Sequence, residues 1–182
     1  MSATLESILR KHQMKHLFEA KRCKKNWGKI SGFVVDVSES LILLQRCDWD
    51  TFQFNGYSVI RSEDVASYRF FDKKEYWKFR AAQHFKLKPK APAGVLISSL
   101  PVLLESAAKI FPLLTIHREK INSEVCYIGK LTAVSRKTFT IEDLNCNAEW
   151  TGPRQFKFSD VTLVDFGGGY ENALAVTAPK QK

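Results

Sequence analysis

The sequence predicts a mostly β protein with flanking helices, composed of two similar halves. Short apolar runs alternate with turn residues over 28–70, and the same order returns about 96 residues later over 125–166. The corresponding turn positions are Gly32, Ser38–Ser40 and Asp64 in the first half and Gly129, Ser135–Lys137 and Asp160 in the second. Because solenoid repeats run to about 20–50 residues, a repeat this long indicates duplicated domains. The 182-residue chain is therefore expected to form two domains of about 90 residues each.

Positive charge is concentrated in the first half of the chain. Residues 1–97 contain 18 Lys and Arg against 10 Asp and Glu, a net charge of +8, whereas residues 98–182 contain 10 against 9. A field of this kind attracts nucleic acid, anionic lipid or acidic protein. The alternative explanation is that the lysines only keep the protein in solution.

The first half begins with a short helix that Ser2 or Thr4 can cap and that ends near His12. Five strands are expected after it, over 14–22, 29–37, 41–46, 52–60 and 64–70. A second helix is expected over 72–85. The side chains expected to pack inward from that helix are Tyr76, Trp77, Phe79 and Arg80.

The second half repeats this plan after a segment rich in Pro and Lys, which predicts an exposed linker. The expected divisions are a first domain over 1–86, a linker over 87–97, a second domain over 98–178 and a tail over 179–182. Ser98 or Ser99 caps a helix that Pro112 ends. Strands are expected over 113–118, 125–134, 138–143, 155–158 and 161–166. The last apolar element, 170–177, is either a strand or a helix.

Two motifs in the first half resemble those of a known fold. Gly32–Ser38 with Leu41–Leu44 resembles the first motif of the Sm-like fold, a small open barrel of the SH3 type, in which a glycine permits strong strand curvature. Val59–Val65 is similar to the second motif, with Arg61-Ser62 where that family usually has Arg-Gly. In this family a helix is followed by five bent strands.

The second half is similar at fewer positions. It retains Gly129 and Asp160-Val161 but has no arginine at the equivalent of Arg61. Its end also resembles small bacterial proteins with no assigned activity, through Asp165–Tyr170 and Ala173-Leu174. The resemblance to the Sm-like fold covers residues 2–70 and 98–166. It implies two tandem Sm/SH3-like small barrels.

The resemblance implies RNA binding, or formation of a homo-oligomer through the edge strands of the barrels. In Sm proteins the loop that contacts bases carries Asp and Asn. Here Ser38 and Ile42 fall at those places in the first half, and Ser135 and Phe139 in the second, so the polar groups that read base edges are replaced. Barrels of this type also serve as protein-interaction modules.

Basic residues interleaved with aromatic residues form the candidate nucleic-acid-binding set. Lys and Arg neutralise phosphates, and exposed aromatic rings stack on bases. The candidate residues are Lys21, Arg22, Lys24, Lys25, Lys29, Arg61, Lys73, Lys74, Lys78, Lys86, Lys88 and Lys90. Trp27 and Trp77 are instead expected in the core. If the basic residues of 21–29 and 73–90 lie on one face, nucleic-acid binding is favoured. If they are scattered over the surface, the interpretation that they only keep the protein in solution is favoured.

Sequence signals for catalysis and metal binding fail on particular residues. His12 and His16 have the spacing of zinc-protease ligands, but Gln13 stands where that motif needs a general base, so a surface pair is expected. The four cysteines form no Cys-x-x-Cys pair and are expected to be reduced. Gly167–Gly169 is followed by Glu171, whose charge is wrong for a phosphate loop. Neither an enzyme, a metal, a cofactor nor a small-molecule substrate is expected.

The most apolar stretch, 95–116, is interrupted by Glu105, Lys109 and Pro112, so no membrane-spanning segment is expected. The function expected from the sequence is a non-enzymatic bacterial, cytoplasmic interaction or assembly module that self-associates through its barrel edges. The alternative is an RNA- or DNA-binding protein that uses the basic first half.

Overall fold

The computed structural model describes residues 4–24, 27–71 and 76–179. It divides into two compact units, Met1–Ala93 and Gly94–Lys182, and the boundary falls inside the segment 87–97. Each unit is mostly β, with antiparallel strands and flanking helices, which confirms the expected fold class at that level. No helix in the described part of the chain is long and apolar enough to cross a membrane.

The first unit is a helix followed by five antiparallel strands and a second helix. Its elements are α1 (Leu5–His12), β1 (Leu17–Arg22), β2 (Lys29–Val37), β3 (Leu41–Asp48), β4 (Gln53–Arg61), a 3-10 turn (Ser62–Asp64), β5 (Val65–Phe71) and α2 (Trp77–His84). The strand order is β5-β1-β2-β3-β4, so β1 pairs with both β2 and β5. Thr4 caps α1, because its Oγ1 accepts a hydrogen bond from the Ser7 amide at 3.3 Å.

The second unit has the same succession of elements. They are α3 (Leu100–Ala108), β6 (Leu114–His117), β7 (Cys126–Val134), β8 (Thr138–Leu144), β9 (Trp150–Lys157), a 3-10 turn (Phe158–Asp160), β10 (Leu163–Phe166) and α4 (Gly169–Thr177). The strand order is β10-β6-β7-β8-β9, which places the fifth strand beside the first as in the first unit. Ser99 caps α3 and Pro101 lies in its first turn. The apolar element at the end of the chain is a helix.

The second strand of each unit contains a glycine followed by a bulge, and both features bend the strand. A Cβ on Gly32 would lie 2.6 Å from the Gln45 carbonyl oxygen, and a Cβ on Gly129 would lie 2.2 Å from that of Glu142, so only glycine fits against the third strand. A register shift then follows at Val35 in β2 and at the corresponding Thr132 in β7. Because a bulge increases local twist and bends its strand, both sheets curve at equivalent places.

The helix α2 packs on one end of the first sheet. Phe79 and Ala82 are buried against Leu17, Phe33 and Phe71, which come from three adjacent strands. The inward packing expected for Phe79 is therefore observed. The expectation for Trp77 is wrong: this residue begins the helix and is 53% exposed, because the helix turns its first residue away from the sheet.

The linker segment is less exposed than its composition predicts. Val95 and Ile97 are buried, and the Ser106 hydroxyl accepts a hydrogen bond from the Leu96 amide at 3.0 Å. These residues belong to the second unit and lead into α3. Proline and lysine content therefore does not predict the burial of Val95 and Ile97.

Candidate nucleic-acid interface

The candidate surface lies on the face of the first sheet that carries α2. Side chains alternate along a strand, so Leu17, Glu19 and Lys21 of β1 share that face. The helix α2 covers Leu17, whereas Glu19 and Lys21 lie beyond it along the strand. The face therefore has an aromatic part around α2 and a cationic part around Lys21.

The cationic part joins three strands. Strand register places Lys21 opposite Lys29 of β2 and Glu19 opposite Arg69 of β5. The Glu19 carboxylate pairs with the Arg69 guanidinium at 2.8 Å and with Lys29 Nζ at 3.3 Å. These groups line a depression of about 220 Å³. With three cations to one carboxylate, the region keeps a net positive charge.

The aromatic part combines a hairpin loop with α2. Trp49 and Phe52 come from the loop between β3 and β4, and Trp77 and Phe85 come from the two ends of α2. The Phe52 ring stacks on Phe85 with ring centroids 4.9 Å apart, and it meets Trp49 and Trp77 edge to face at 6.2 and 6.1 Å. Trp77 and Phe85 are 53% and 55% exposed. We call these four residues the aromatic patch.

The backbone conformation of Phe52 supports a role for its ring in binding. Its φ of +53° lies in the left-handed region, which costs a bulky residue about 1–2 kcal/mol and which Gly or Asn adopts more readily. The loop itself is held by Asp48, whose Oδ1 accepts a hydrogen bond from the Asp50 amide at 2.9 Å. Strained positions of this kind cluster at binding sites. The sequence therefore places an aromatic ring here at a conformational cost.

Cations surround the aromatic patch. Lys78 Nζ lies 5.2 Å from the ring centroid of Trp49 and 5.7 Å from that of Trp77, within the range of cation–π attraction. Arg80 on α2 is exposed, so the inward packing expected for it is wrong. The carboxylate of Asp48 is nearby, but its hydrogen bonds from the Asp50 amide and then from Thr51 are with its own loop, and they lower its pKa.

The segment after α2 returns across the same face. Gln45 lies opposite Phe33 on β2, and Tyr57 lies opposite Gln45, so both side chains share the face that carries α2. The Lys90 amide donates to Gln45 Oε1 at 2.7 Å, and the Tyr57 hydroxyl donates to the Lys90 carbonyl oxygen at 3.1 Å. These two bonds fix Lys90 on the face that carries α2, and its side chain is exposed.

The other candidate residues have mixed positions. Lys24, Lys86 and Lys88 are exposed. Arg61 pairs with Glu63 at 3.7 Å, and its side chain is 20% exposed. Lys25, Lys73 and Lys74 lie outside the described residues.

Arg22 needs a correction. It is 3% exposed, and its guanidinium lies 5.1 Å from the ring centroid of Trp27, which is buried as expected. The reason is the alternation of side chains along β1, which puts Arg22 on the same face as Phe18 and Ala20, both fully buried. Arg22 therefore does not contribute to the surface, whereas Arg69, which was not among the candidates, does. Its role depends on strand register, for which the sequence gives no signal.

The histidine pair is partly buried rather than a free surface pair. His12 Nδ1 lies 3.1 Å from His16 Nδ1, and the His12 ring stacks on Phe70 with centroids 4.1 Å apart. Burial, followed by the charges of His16, Lys11 and Lys15, lowers the pKa of His12. Among the described residues, no three His, Cys, Asp or Glu side chains are grouped so as to hold a metal ion.

Comparison of the chain with protein-family models, curated proteins and solved structures gives no match. The geometry of the candidate surface is therefore the basis on which a function can be proposed.

Proposed function

We propose that the chain is a non-enzymatic binding protein made of two Sm-like units, and that its first unit binds single-stranded nucleic acid. The shared strand order and the paired glycines Gly32 and Gly129 support the Sm-like assignment. The observation that carries the proposed function is that an exposed aromatic patch and a cationic region share one face of the first sheet.

The chemistry of this face fits a single strand. Each base that stacks on an exposed ring contributes about 1–3 kcal/mol, and any base can do so. In a duplex the bases are already stacked on one another, so Trp77 and Phe85 would have no ring to contact. Lys21, Lys29 and Arg69 neutralise phosphates, which makes binding sensitive to salt.

The deciding experiment compares two exposed aromatic residues by fluorescence anisotropy with labelled single-stranded oligonucleotides. Trp77→Ala removes a ring that is 53% exposed, and the control Tyr170→Ala removes one that is 55% exposed. Both residues lie in the first turn of the helix that follows the fifth strand of their unit. Trp77→Ala is expected to weaken binding by about 5- to 100-fold, because a stacked base is lost. Tyr170→Ala is expected to leave binding unchanged.

The salt dependence separates the two parts of the face. Lys21→Ala and Lys29→Ala are expected to make the dependence of affinity on salt less steep, by about one phosphate contact each. Trp77→Ala is expected to keep the slope and lower the affinity at every salt concentration. The proposal is abandoned if the unaltered protein binds no single-stranded oligonucleotide at about 50 mM salt.

A second candidate function is assembly through strand edges. In the described part of the chain, β5 ends the strand order beside β1 and β9 ends it beside β8, so each of these two strands has one free edge. We propose that copies of the chain pair through these edges, because unpaired strand edges are templates for further strands. In β9, Pro153 has no amide hydrogen to donate to β8, so its nitrogen faces outward, and so does the amide of Gln155 two residues later.

Light scattering after size exclusion tests this assembly. The unaltered protein is expected to show a mass that is a multiple of the monomer and that rises with concentration. Gln155→Pro is expected to shift it toward the monomer, since it removes an outward donor while the pairing of β9 with β8 is kept. Gln155→Ala, which removes the same side chain but keeps the backbone amide, is the control. A monomer at every concentration would contradict assembly and leave the nucleic-acid proposal untouched.

A further inference from the structure

The second unit has a cationic depression that the proposed function does not use. A cavity of about 500 Å³ is lined by Arg136, Lys137, Thr138, Lys157, Phe158 and Ser159. Three of these residues are cations and none is a carboxylate. Within the described part of the chain, none of the three cations forms an ion pair. Its volume lies in the range of small-ligand sites, about 300–1,000 Å³.

The backbone around this depression is fixed by hydrogen bonds. The Ser135 amide donates to the Thr138 carbonyl oxygen at 2.8 Å and closes the turn between β7 and β8. The Phe158 amide donates to the Lys137 carbonyl oxygen at 3.1 Å and fastens this turn to the end of β9. Lys157 lies opposite Thr138 in the ladder. The three cations therefore stand on a preorganised frame, which lowers the entropic cost of binding.

An aromatic ring forms one wall of the depression. Phe158 is half-buried, and its ring centroid lies 5.1 Å from that of Phe139, which is fully buried and holds it in place. The Thr138 and Ser159 side chains add hydroxyl groups to the lining. The site thus combines charge with one apolar surface of aromatic character.

The same frame in the first unit carries different charges. There the Ser38 amide donates to the Leu41 carbonyl oxygen at 2.8 Å, and the Ser62 amide donates to the Ser40 carbonyl oxygen at 2.9 Å. The residues at the positions of Arg136, Lys137, Lys157 and Ser159 are Glu39, Ser40, Arg61 and Glu63. Three cations in one unit therefore correspond to one cation and two carboxylates in the other. Because the frame forms with either set, the cations are not required for folding.

We propose that this depression binds a mononucleotide, with the phosphate on Arg136, Lys137 and Lys157 and the base against Phe158. Hydrogen bonds between cationic side chains and phosphate oxygens are about twice as strong as neutral ones, and Arg can bind two of these oxygens at once. The ring of Phe158 offers a stacking surface for the base. The site is independent of the surface on the first unit, since it shares no residue with it.

The test is a titration of the full chain with adenosine monophosphate, followed by amide chemical shifts. Adenosine monophosphate is expected to shift the amides of 135–138 and 157–159. Adenosine and inorganic phosphate are each expected to bind at least about tenfold more weakly, because each lacks one half of the contacts. Equal affinity for inorganic phosphate overturns the base contact, and no shift at these amides with any of the three compounds overturns the site.

A matched pair of variants tests the role of the charges. Arg136→Glu with Lys137→Ser introduces the residues that the first unit carries in the same turn, so the fold is expected to be kept. This double variant is expected to bind adenosine monophosphate about tenfold or more weakly than the unaltered protein does. Lys130→Glu, a charge reversal at an exposed position of β7 outside the depression, is expected to bind as the unaltered protein does. If Arg136→Glu with Lys137→Ser binds adenosine monophosphate as tightly as the unaltered protein does, the proposal is overturned.

A single-stranded oligonucleotide added to Trp77→Ala separates two sources of phosphate. If the oligonucleotide shifts the same amides at lower concentration than adenosine monophosphate does, the site belongs to a polynucleotide and the mononucleotide assignment is wrong. If it shifts them only at higher concentration, the assignment is supported. Since Trp77 lies in the first unit, failure of one proposal leaves the other standing.

Discussion

Replacing Gly129 with alanine is expected to destabilise the second unit through a single steric conflict. The alanine Cβ would lie 2.2 Å from the Glu142 carbonyl oxygen, whereas ordinary contact begins near 3.4 Å, an overlap of about 1.2 Å. The conflicting atom belongs to the backbone of β8, so no side chain can turn away to relieve it. Gly129 is not in the left-handed region, so the added methyl group, and not the local backbone conformation, is the cause.

The size of the stability loss in Gly129→Ala depends on how far the strands must separate to accommodate the methyl group. Relieving the overlap separates β7 from β8 locally and weakens one or two ladder hydrogen bonds, each worth about 1 kcal/mol. Strain from overpacking adds about 1–3 kcal/mol, while the lower entropy of unfolded alanine offsets about 0.4–1 kcal/mol. The free energy of unfolding is therefore expected to fall by about 2–4 kcal/mol. For Gly32→Ala the distance is 2.6 Å, so a smaller loss, about 1–3 kcal/mol, is expected in the first unit.

Hydrogen exchange measured by mass spectrometry assigns each loss to its unit. Gly129→Ala is expected to lower protection in peptides from β7 and β8, and Gly32→Ala in peptides from β2 and β3. Lys130→Ala, at the exposed neighbour on β7, is the control and should stay within about 0.5 kcal/mol of the unaltered protein. If both glycine variants are as stable as this control, the close approach of the strands is not what requires glycine at these two positions.

Three further outcomes are expected. Phe52→Asn should change the free energy of unfolding in denaturant by less than about 1 kcal/mol, because relief of the left-handed strain offsets the lost ring contacts. The same variant should weaken oligonucleotide binding by about fivefold or more, and unchanged binding would remove Phe52 from the interface. Burial, reinforced by Asp48, raises the pKa of the Cys47 thiol to about 11, so alkylation near pH 8 should label the exposed Cys23 and Cys146 well before Cys47; equal labelling rates by mass spectrometry would contradict this. Because the pKa of His12 is lowered in the folded protein, this histidine is protonated first in the unfolded chain as pH falls. The contribution of neutral His12 to stability is therefore present above about pH 6.5 and is lost below that pH. His12→Gln should make the unfolding midpoint less dependent on pH, and an unchanged pH dependence would mean that other groups cause it.

The bend in each sheet could be predicted from the sequence, because its cause is local. Gly32 and Gly129 stand alone in apolar runs, and a strand glycine indicates a bulge or a close approach of backbones. The helix caps Thr4 and Ser99 could be predicted for the same reason, since each acts within three residues of itself.

The composition of the candidate surface could be predicted only in part. Lys21, Lys29 and Lys78 lie on it as cations, but Arg69 joins them only through the pairing of β5 with β1, which links residues far apart in sequence. Arg22 does not join them because side chains alternate along β1, so Arg22 shares the buried face of Phe18 and Ala20. The sequence predicts Trp77 in the core, because large aromatic residues are usually well buried. Its position as the first residue of α2 decides otherwise.

The distribution of charge between the two units argues against solubility as the sole reason for the cations. The second half of the chain has 10 basic and 9 acidic residues, so it has little excess charge to distribute. Three of its cations nevertheless line one depression without an acidic partner, at a position where the first unit carries Glu39 and Glu63. In the first unit, Lys21, Lys29 and Arg69 lie on the sheet face that also carries α2 with Trp77 and Phe85. Solubility requires charge but no clustering. The two units therefore carry cationic surfaces at different places on equivalent frames, as expected if each unit binds a different anionic ligand.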